Sequence, residues 1–269
     1  MPKVPGVFGV PTFCIITGAS RGLGRAIALS LGSQLGANSL LTLTARSSVD
    51  LEETRKQIAA CAPEVSVRLV CGDLGDESKV EKAISSLFEG VDSTQYQHVL
   101  LIHNAGSLGE TSNVGNLKAN PESLQKYFLL NVTSCISLSS VFLKTFPKRE
   151  GLRRTIVAIS TLCALQATKS LSLYCSSKAA RNMVMKNIAI EDPDVRVLNY
   201  APGVLNTRMH QDLVENVQDA EVKEMMISVE STQYYLTPAT SCKKMIQVLR
   251  EDSFESGAHI DFWDVEQKE

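Results

Sequence analysis

The sequence predicts an α/β fold in which helices cover both faces of a doubly wound parallel sheet of about seven strands. Seven short runs of aliphatic and β-branched residues recur along the chain, with helical stretches between them. Most of these runs are apolar throughout, as is typical of strands buried on both faces of a parallel sheet. Strands that alternate with helices imply right-handed crossovers. Because no repeat, linker or low-complexity segment divides the 269 residues, we predict a single domain over 1–269.

The individual elements follow from the apolar runs and from the capping signals between them. Strands are predicted at 13–17, 39–44, 65–70, 98–103, 155–160, 195–200 and 258–262. The predicted helices are Arg21–Leu35, a helix capped by Asp50, a long helix from Asn120-Pro121 towards Thr145, and Ser172–Glu191. We expect short helices over the carboxyl edge of the sheet within 204–236, and flexible ends at 1–11 and 266–269.

The composition excludes several classes of protein. The chain has 27 Lys+Arg against 29 Asp+Glu and a net charge of −2, which disfavours nucleic acid as a partner. No apolar stretch approaches the roughly 18 residues of a membrane span, and the first residues do not resemble a signal peptide. Seven scattered cysteines without a CxxC spacing indicate reduced thiols rather than disulfides or a zinc site. We therefore expect a cytoplasmic protein that binds no metal, nucleic acid or membrane.

A glycine-rich segment, TGASRGLG at 17–24, follows the first predicted strand and opens the first helix. Glycines there let backbone N–H groups approach a diphosphate closely, and the helix amino terminus adds about half a positive charge. The flanking strand and helix favour a dinucleotide site, although such a turn can also be ordinary chain punctuation. The predicted phosphate-binding residues are Gly18, Ser20, Arg21, Gly22, Leu23 and Gly24.

Two arginines indicate which nucleotide this turn would bind. An NAD-binding chain usually carries Asp or Glu near the end of the second strand, whereas this chain has Arg46 there and Arg21 in the turn. Two guanidinium groups suit a 2′-phosphate, so the predicted cofactor is NADPH/NADP; the alternative is two solvated surface arginines. Further cofactor contacts, each of which could also be a simple turn or cap residue, are predicted at Ser47, Asp73, Leu74, Asn104, Leu205 and Thr207.

Tyr174 and Lys178 carry the strongest chemical signal. Residues i and i+4 share one face of a helix, so the Lys178 ammonium would lie beside the Tyr174 phenol. A phenol titrates near 10, and bringing its pKa near 7 takes about 4 kcal/mol of phenolate stabilisation. We expect Lys178 to lower this pKa and to bind a nicotinamide ribose, while Tyr174 passes a proton to a carbonyl oxygen. The alternative for an isolated Y-x-x-x-K is a solvated helix face.

Three further polar residues could complete the site. Ser160 and Thr161 end the fifth predicted strand, where either hydroxyl could orient a substrate carbonyl or merely cap the strand. Asn131 is unusual inside a long predicted helix. It could brace a kink and hold a water that relays protons to Lys178, or it could bond only to nearby backbone.

Together these residues resemble the short-chain dehydrogenases/reductases over nearly the whole chain. The motifs that follow that family's order are TGASRGLG, Asp73, NAG at 104–106, Asn131, Y-x-x-x-K at 174–178 and PG at 202–203. The resemblance implies a Rossmann-like sheet of seven strands and a proton relay through Asn, Ser, Tyr and Lys. The family's catalytic Ser falls on Thr161 in this chain, so we assign its role to Thr161, with Ser160 as the second choice.

A narrower resemblance is to those members that reduce pterin side-chain carbonyls with NADPH. It is carried by NAGSLG (104–109), STLCALQ (160–166), YCSSKAAR (174–181), VRVLNYAPG (195–203) and SGAHIDFWD (256–264). It implies a cytosolic homodimer, whose faces would be the helices at 120–145 and 172–191. It also implies that Asp261 accepts two hydrogen bonds from the pterin ring. The implied substrate-binding residues are Thr161, Leu162, Tyr174, Gly203 and Asp261.

Two other functions stay open on the sequence. One is a broad NADPH-dependent carbonyl reductase that acts on dicarbonyls or quinones. The other is a non-catalytic NADP(H) sensor, because a fold can be retained without its chemistry.

Overall fold

A computed structural model describes residues 6–118 and 120–265. The strands of its main sheet are β1 (Thr12–Thr17), β2 (Leu40–Ala45), β3 (Ser66–Cys71), β4 (His98–His103), β5 (Arg153–Ile159), β6 (Val195–Ala201) and β9 (His259–Asp261). All are parallel and lie in the order β3-β2-β1-β4-β5-β6-β9, which confirms the predicted seven-stranded, doubly wound α/β fold. Two short strands, β7 (Val204–Leu205) and β8 (Tyr235–Leu236), form a separate pair after β6.

Helices cover both faces of this sheet. They are α1 (Gly22–Gly32), α2 (Ser48–Cys61), α3 (Val80–Phe88), α4 (Pro121–Phe128), α5 (Ser134–Thr145), α6 (Ser172–Glu191), α7 (Arg208–Asn216), α8 (Ala220–Val229) and α9 (Pro238–Glu251). One apolar layer packs α1, α2 and α9 on the sheet, and the opposite layer packs α3, α5 and α6. The helices α7 and α8 lie within the predicted 204–236 segment.

One predicted helix cap is wrong, and the flexibility expected of residues 6–11 stays a prediction. In the structure Val7 is buried and its carbonyl oxygen accepts a hydrogen bond from His98 Nδ1 at 3.0 Å. The expectation for 1–5 and 266–269 lies outside the described residues. The residue that caps α2 is Ser47 rather than Asp50, since the Ser47 hydroxyl accepts from the Asp50 N–H at 3.2 Å and the helix begins directly after it.

The predicted long helix is interrupted at Asn131. A five-residue π-helical turn, Leu129–Thr133, joins α4 to α5, and Asn120 caps α4 as predicted. Taken together with this π-helical turn, α4 and α5 form a helical stretch, Pro121–Thr145. Among the described helices, this stretch is long and apolar enough to cross a membrane by length and composition alone. Core helices of globular proteins meet the same criterion, so this finding carries little weight.

Candidate active site

Asn104 holds the glycine-rich turn between β1 and α1 in place through hydrogen bonds. The Asn104 side-chain amide donates to the carbonyl oxygens of Thr17 at 2.9 Å and Gly18 at 3.1 Å. A Cβ on Gly24 would overlap the Gly18 carbonyl oxygen and lie 2.5 Å from Asn104 Nδ2. Only glycine fits this close approach. Asn104, predicted as a contact of the nicotinamide ribose, therefore also holds the turn in shape.

The first turn of α1 is open to a ligand. The N-cap residue of α1, Arg21, makes no side-chain hydrogen bond to the helix. No capping side chain therefore occupies the backbone N–H groups of the first turn. This opening at the carboxyl edge of a parallel sheet is where ligands bind in such folds. Thr207 reaches the same turn, since its methyl carbon lies 3.6 Å from the Cβ position of Gly22.

The other predicted cofactor residues lie at or near this edge in different roles. Arg21 and Arg46 are both exposed. The Ser47 hydroxyl caps α2. Asp73 Oδ1 accepts from the Gly75 N–H at 2.9 Å, so this carboxylate stabilises the turn after β3. Leu74 and Leu205 are buried.

Tyr174, Lys178 and Thr161 meet at the carboxyl end of β5. Lys178 is buried, and its ammonium donates to the Ile159 carbonyl oxygen at 2.7 Å. The same nitrogen lies 5.6 Å from the centroid of the Tyr174 ring. Thr161 lies near enough to the half-buried Tyr174 phenol for its hydroxyl to favour the phenolate and lower that pKa. The i, i+4 spacing on α6 thus brings a phenol, an amine and a hydroxyl to one point.

The electrostatics of this cluster differ from the expected pattern. Burial raises the pKa of Tyr174 and the Thr161 hydrogen bond opposes that rise, while burial lowers the pKa of Lys178 well below its usual value, helped by the nearby Arg181. The expectation of a lowered Tyr174 pKa is wrong for the chain by itself, because desolvation of the phenolate outweighs the neighbouring groups, Thr161 and Arg181, that favour it. The phenol of the chain alone stays protonated at neutral pH.

Ser160 does not lie beside the phenol and belongs to a different network. Its hydroxyl donates to Asn182 Oδ1 at 2.7 Å, and Asn182 Nδ2 is 3.0 Å from His259 Nδ1. Consecutive side chains at a strand end point to opposite sides of the sheet, so only one of two adjacent hydroxyls can face Tyr174. These contacts favour Thr161, the first choice for the orienting hydroxyl, over Ser160.

Asn131 supports the loop that follows β4. It is buried in the π-helical turn, where its Oδ1 accepts from the Ser107 N–H at 2.9 Å and its Nδ2 donates to the Tyr127 carbonyl oxygen at 2.9 Å. These bonds fix the NAG loop against the helix pair. A direct hydrogen bond from Asn131 to Lys178 is not among the contacts of the described residues.

Two residues that the sequence analysis did not name also shape the site. Arg181 is buried and donates to the carbonyl oxygens of His103 at 2.7 Å and Ala105 at 2.9 Å. The Tyr127 hydroxyl lies 3.0 Å from Ser177 Oγ, and burial raises the pKa of Tyr127 to about 12. Arg181 lies seven residues after Tyr174 on the same helix, a spacing that places both residues on one helix face. This spacing could have identified Arg181 from the sequence.

The predicted substrate residues line the far side of the same edge. Asp261 ends β9, pairs in register with Ala201 of β6, and accepts the Trp263 N–H at 3.0 Å. Gly203 follows β6 with a φ of +77°, in the left-handed region that favours glycine. Leu162 is 52% exposed beside Thr161. The edge thus offers a carboxylate and an apolar side chain near the turn at Gly203.

Comparisons with known proteins agree with this architecture. Residues 12–218 match the family described as short chain dehydrogenase. The chain is 41% identical over 253 residues to the sepiapterin reductase of Rattus norvegicus, covering 94% of this chain and 96% of that protein. It is 32% identical over 199 residues to a benzil reductase of Bacillus subtilis, covering 72% and 75%.

Solved structures show the same fold at low sequence identity. Levodione reductase superposes with a TM-score of 0.76 at 21% identity, covering 93% of this chain and 95% of that one. The angucycline C-6 ketoreductase LanV with bound NADP superposes with a TM-score of 0.75 at 21% identity, covering 97% and 96%.

Proposed function

Because this chain belongs to the short-chain dehydrogenase family, and is thus an NADPH-dependent oxidoreductase that reduces carbonyls, we propose that it acts on pterin side chains. The proposed reactions convert sepiapterin to dihydrobiopterin and 6-pyruvoyl-tetrahydropterin to tetrahydrobiopterin. The observation that carries the proposal is the meeting of Tyr174, Lys178 and Thr161 at the edge that also holds Asp261. The 41% identity to a sepiapterin reductase supports the choice of substrate.

The residues around the glycine-rich turn fit NADPH. The uncapped first turn of α1 and the glycine-only contact at Gly24 leave backbone N–H groups free for the diphosphate. Exposed Arg21 and Arg46 would hold the 2′-phosphate through forked N–H donors. When bound, NADPH supplies a hydride to the carbonyl carbon.

The chain's own groups would manage the proton. Tyr174, protonated at neutral pH, donates its hydroxyl proton to the carbonyl oxygen as negative charge develops there. Thr161 orients that oxygen, and Lys178 holds the ribose and attracts the phenolate that remains. Asn131 fixes the loop from which a water would return a proton through Lys178.

Asp261 would anchor the pterin ring by accepting two hydrogen bonds from its 2-amino and adjacent N–H groups. We further propose a cytoplasmic homodimer. The helices α5 and α6 carry exposed Ile136, Met183 and Ile190, and such apolar surface is typical of a helix face that associates with a second copy.

The test follows NADPH oxidation with sepiapterin and with 2,3-butanedione, a small diketone without a ring. Asp261→Ala is expected to raise the KM for sepiapterin more than tenfold and to change the KM for the diketone less than twofold, on the scale of a lost charge-assisted hydrogen bond. Equal effects on both substrates would favour the broad carbonyl reductase, which the similarity to a benzil reductase makes the second candidate. No NADPH oxidation at high protein concentration would favour the sensor.

A further inference from the structure

We propose that Trp263 forms the aromatic wall of the substrate pocket, against which the flat face of a bicyclic heteroaromatic substrate stacks. This inference rests on the proposed function and adds to it a residue that selects for the ring. It concerns a side chain to which the sequence analysis assigned no role.

The position of Trp263 places it between the proposed pterin anchor and the turn after β6. Its backbone N–H donates to Asp261 Oδ1 at 3.0 Å, so the turn that carries the indole is bonded to the side chain of the proposed anchor. Its indole Nε1 lies 3.6 Å from the Cβ position of Gly203. Gly203 carries no side chain, and the indole therefore covers the turn directly at the carboxyl edge of the sheet.

The indole contacts two other aromatic rings and is still partly open to solvent. Phe262, which is 2% exposed, contacts it at 4.7 Å between ring centroids with an interplanar angle of 79°, and Tyr234 contacts it at 5.0 Å and 63°. The Asp261 N–H donates to Asp264 Oδ2 at 2.8 Å and closes the capping box of this turn. Trp263 is nevertheless 48% exposed. A preorganised ring of this kind binds a flat ligand without a large ordering penalty.

The two neighbouring groups would contact different parts of the same ligand. A carboxylate accepts hydrogen bonds in the plane of a heteroaromatic ring, whereas an indole stacks above or below that plane. Stacking on an aromatic side chain tolerates substitutions on the ring, because every heteroaromatic base has a π-face. Asp261 would therefore select the edge of the ring and Trp263 its face, and a small aliphatic diketone would use neither.

The first experiment compares substrates with and without a ring. Trp263→Leu is expected to lower kcat/KM for sepiapterin about tenfold, a loss on the scale of one base–aromatic stack, and to change it less than twofold for 2,3-butanedione. Trp263→Phe keeps an aromatic ring. Its decrease in log(kcat/KM) for sepiapterin should therefore be less than half of the decrease in Trp263→Leu. Val114→Ala, which also removes an exposed apolar side chain but lies outside the residues assigned to the nucleotide, the substrate or the dimer face, should change neither value.

The second experiment measures binding directly. Trp263 is the single tryptophan of the chain, so its fluorescence reports on this position alone. Titration of the NADP-bound protein with sepiapterin should quench it beyond the quenching of free N-acetyltryptophanamide at the same concentrations, and 2,3-butanedione should not.

The outcomes separate this inference from the function on which it rests. An equal loss of kcat/KM for both substrates in Trp263→Leu, or no quenching beyond that of the free amide, overturns the aromatic wall. If the native protein oxidises NADPH with 2,3-butanedione and not with sepiapterin, pterin reduction is wrong. In that case the quenching titration still decides whether a bicyclic ring stacks on Trp263.

Discussion

Replacing each of the two adjacent hydroxyls in turn tests the geometry of the site most directly. Thr161→Val keeps the shape and the β-branch of the side chain but removes the hydroxyl that lies near the Tyr174 phenol and lowers its pKa. Losing one donor to a developing oxyanion lowers kcat by about 10²–10³-fold, or roughly 2.7–4 kcal/mol. Thr161 also accepts the Cys163 N–H at 3.3 Å, so the variant should lose about 1 kcal/mol of stability as well.

Ser160→Ala provides the matched control one residue away. It removes a hydroxyl that donates to buried Asn182 Oδ1 at 2.7 Å, and an acceptor left unpaired costs about 1–3 kcal/mol of stability. Its kcat should stay within a few-fold of the native value, and Thr161→Ser, which keeps the hydroxyl, should retain most activity.

The assay pairs steady-state NADPH oxidation with urea unfolding for all three variants. Thr161→Val is expected to lose about 10²–10³-fold in kcat and about 1 kcal/mol of stability. Ser160→Ala is expected to keep its kcat within a few-fold and to lose about 1–3 kcal/mol of stability. The reasoning fails if Ser160→Ala loses as much kcat as Thr161→Val, or if Thr161→Val turns over normally.

Three other predictions concern the donor, the cofactor and the acid response. Tyr174→Phe should bind NADPH with native affinity in a calorimetric titration and lose at least about a hundredfold in kcat; near-native turnover would refute its role as proton donor. Arg46→Ala should raise the KM for NADPH about tenfold or more and leave the KM for NADH within twofold, because only NADPH carries the 2′-phosphate; an equal effect would place Arg46 outside the nucleotide site. Burial lowers the pKa of His98 from its ordinary 6.5 to about 3, so the unfolded state binds the proton first as pH falls. Stability should drop by about 2 kcal/mol from this residue between pH 7 and pH 5, at 1.36 kcal/mol per pH unit below 6.5. In His98→Gln, the urea midpoint should fall less between pH 7 and pH 5 than it does in the native protein. An equal fall in both proteins would contradict this role of His98.

The sheet was predictable because its signal is local. A strand buried on both faces must be apolar throughout, so β1 and β4 appear in the sequence as FCIIT and HVLLIH. The pairing of Tyr174 with Lys178 was predictable for a similar reason, since helix geometry places residues i and i+4 on one face. The boundaries of α6 fell on the predicted residues.

Other features depend on contacts between distant segments. Asn104 fastens the glycine-rich turn from a strand end 86 residues away, and Arg181 reaches back 78 residues to His103. No local pattern specifies such partners. The pKa of Tyr174 also depends on how much water the surrounding elements exclude, which is why the sequence led to the opposite sign from the structure.

Local patterns in the sequence were enough to locate the strands, to single out the glycine-rich turn, and to place a phenol and an amine on one helix face. Only the folded chain shows that Ser160 bonds to Asn182 while Thr161 lies near Tyr174, what Asn131 and Asn104 hold, and that Trp263 lies beside Asp261. The physical reason is the distance along the chain over which each feature is set. Periodicity and spacing are set by backbone geometry within one element, whereas side-chain direction at a sheet edge, desolvation and the packing of one loop on another depend on elements that meet only when the chain has folded.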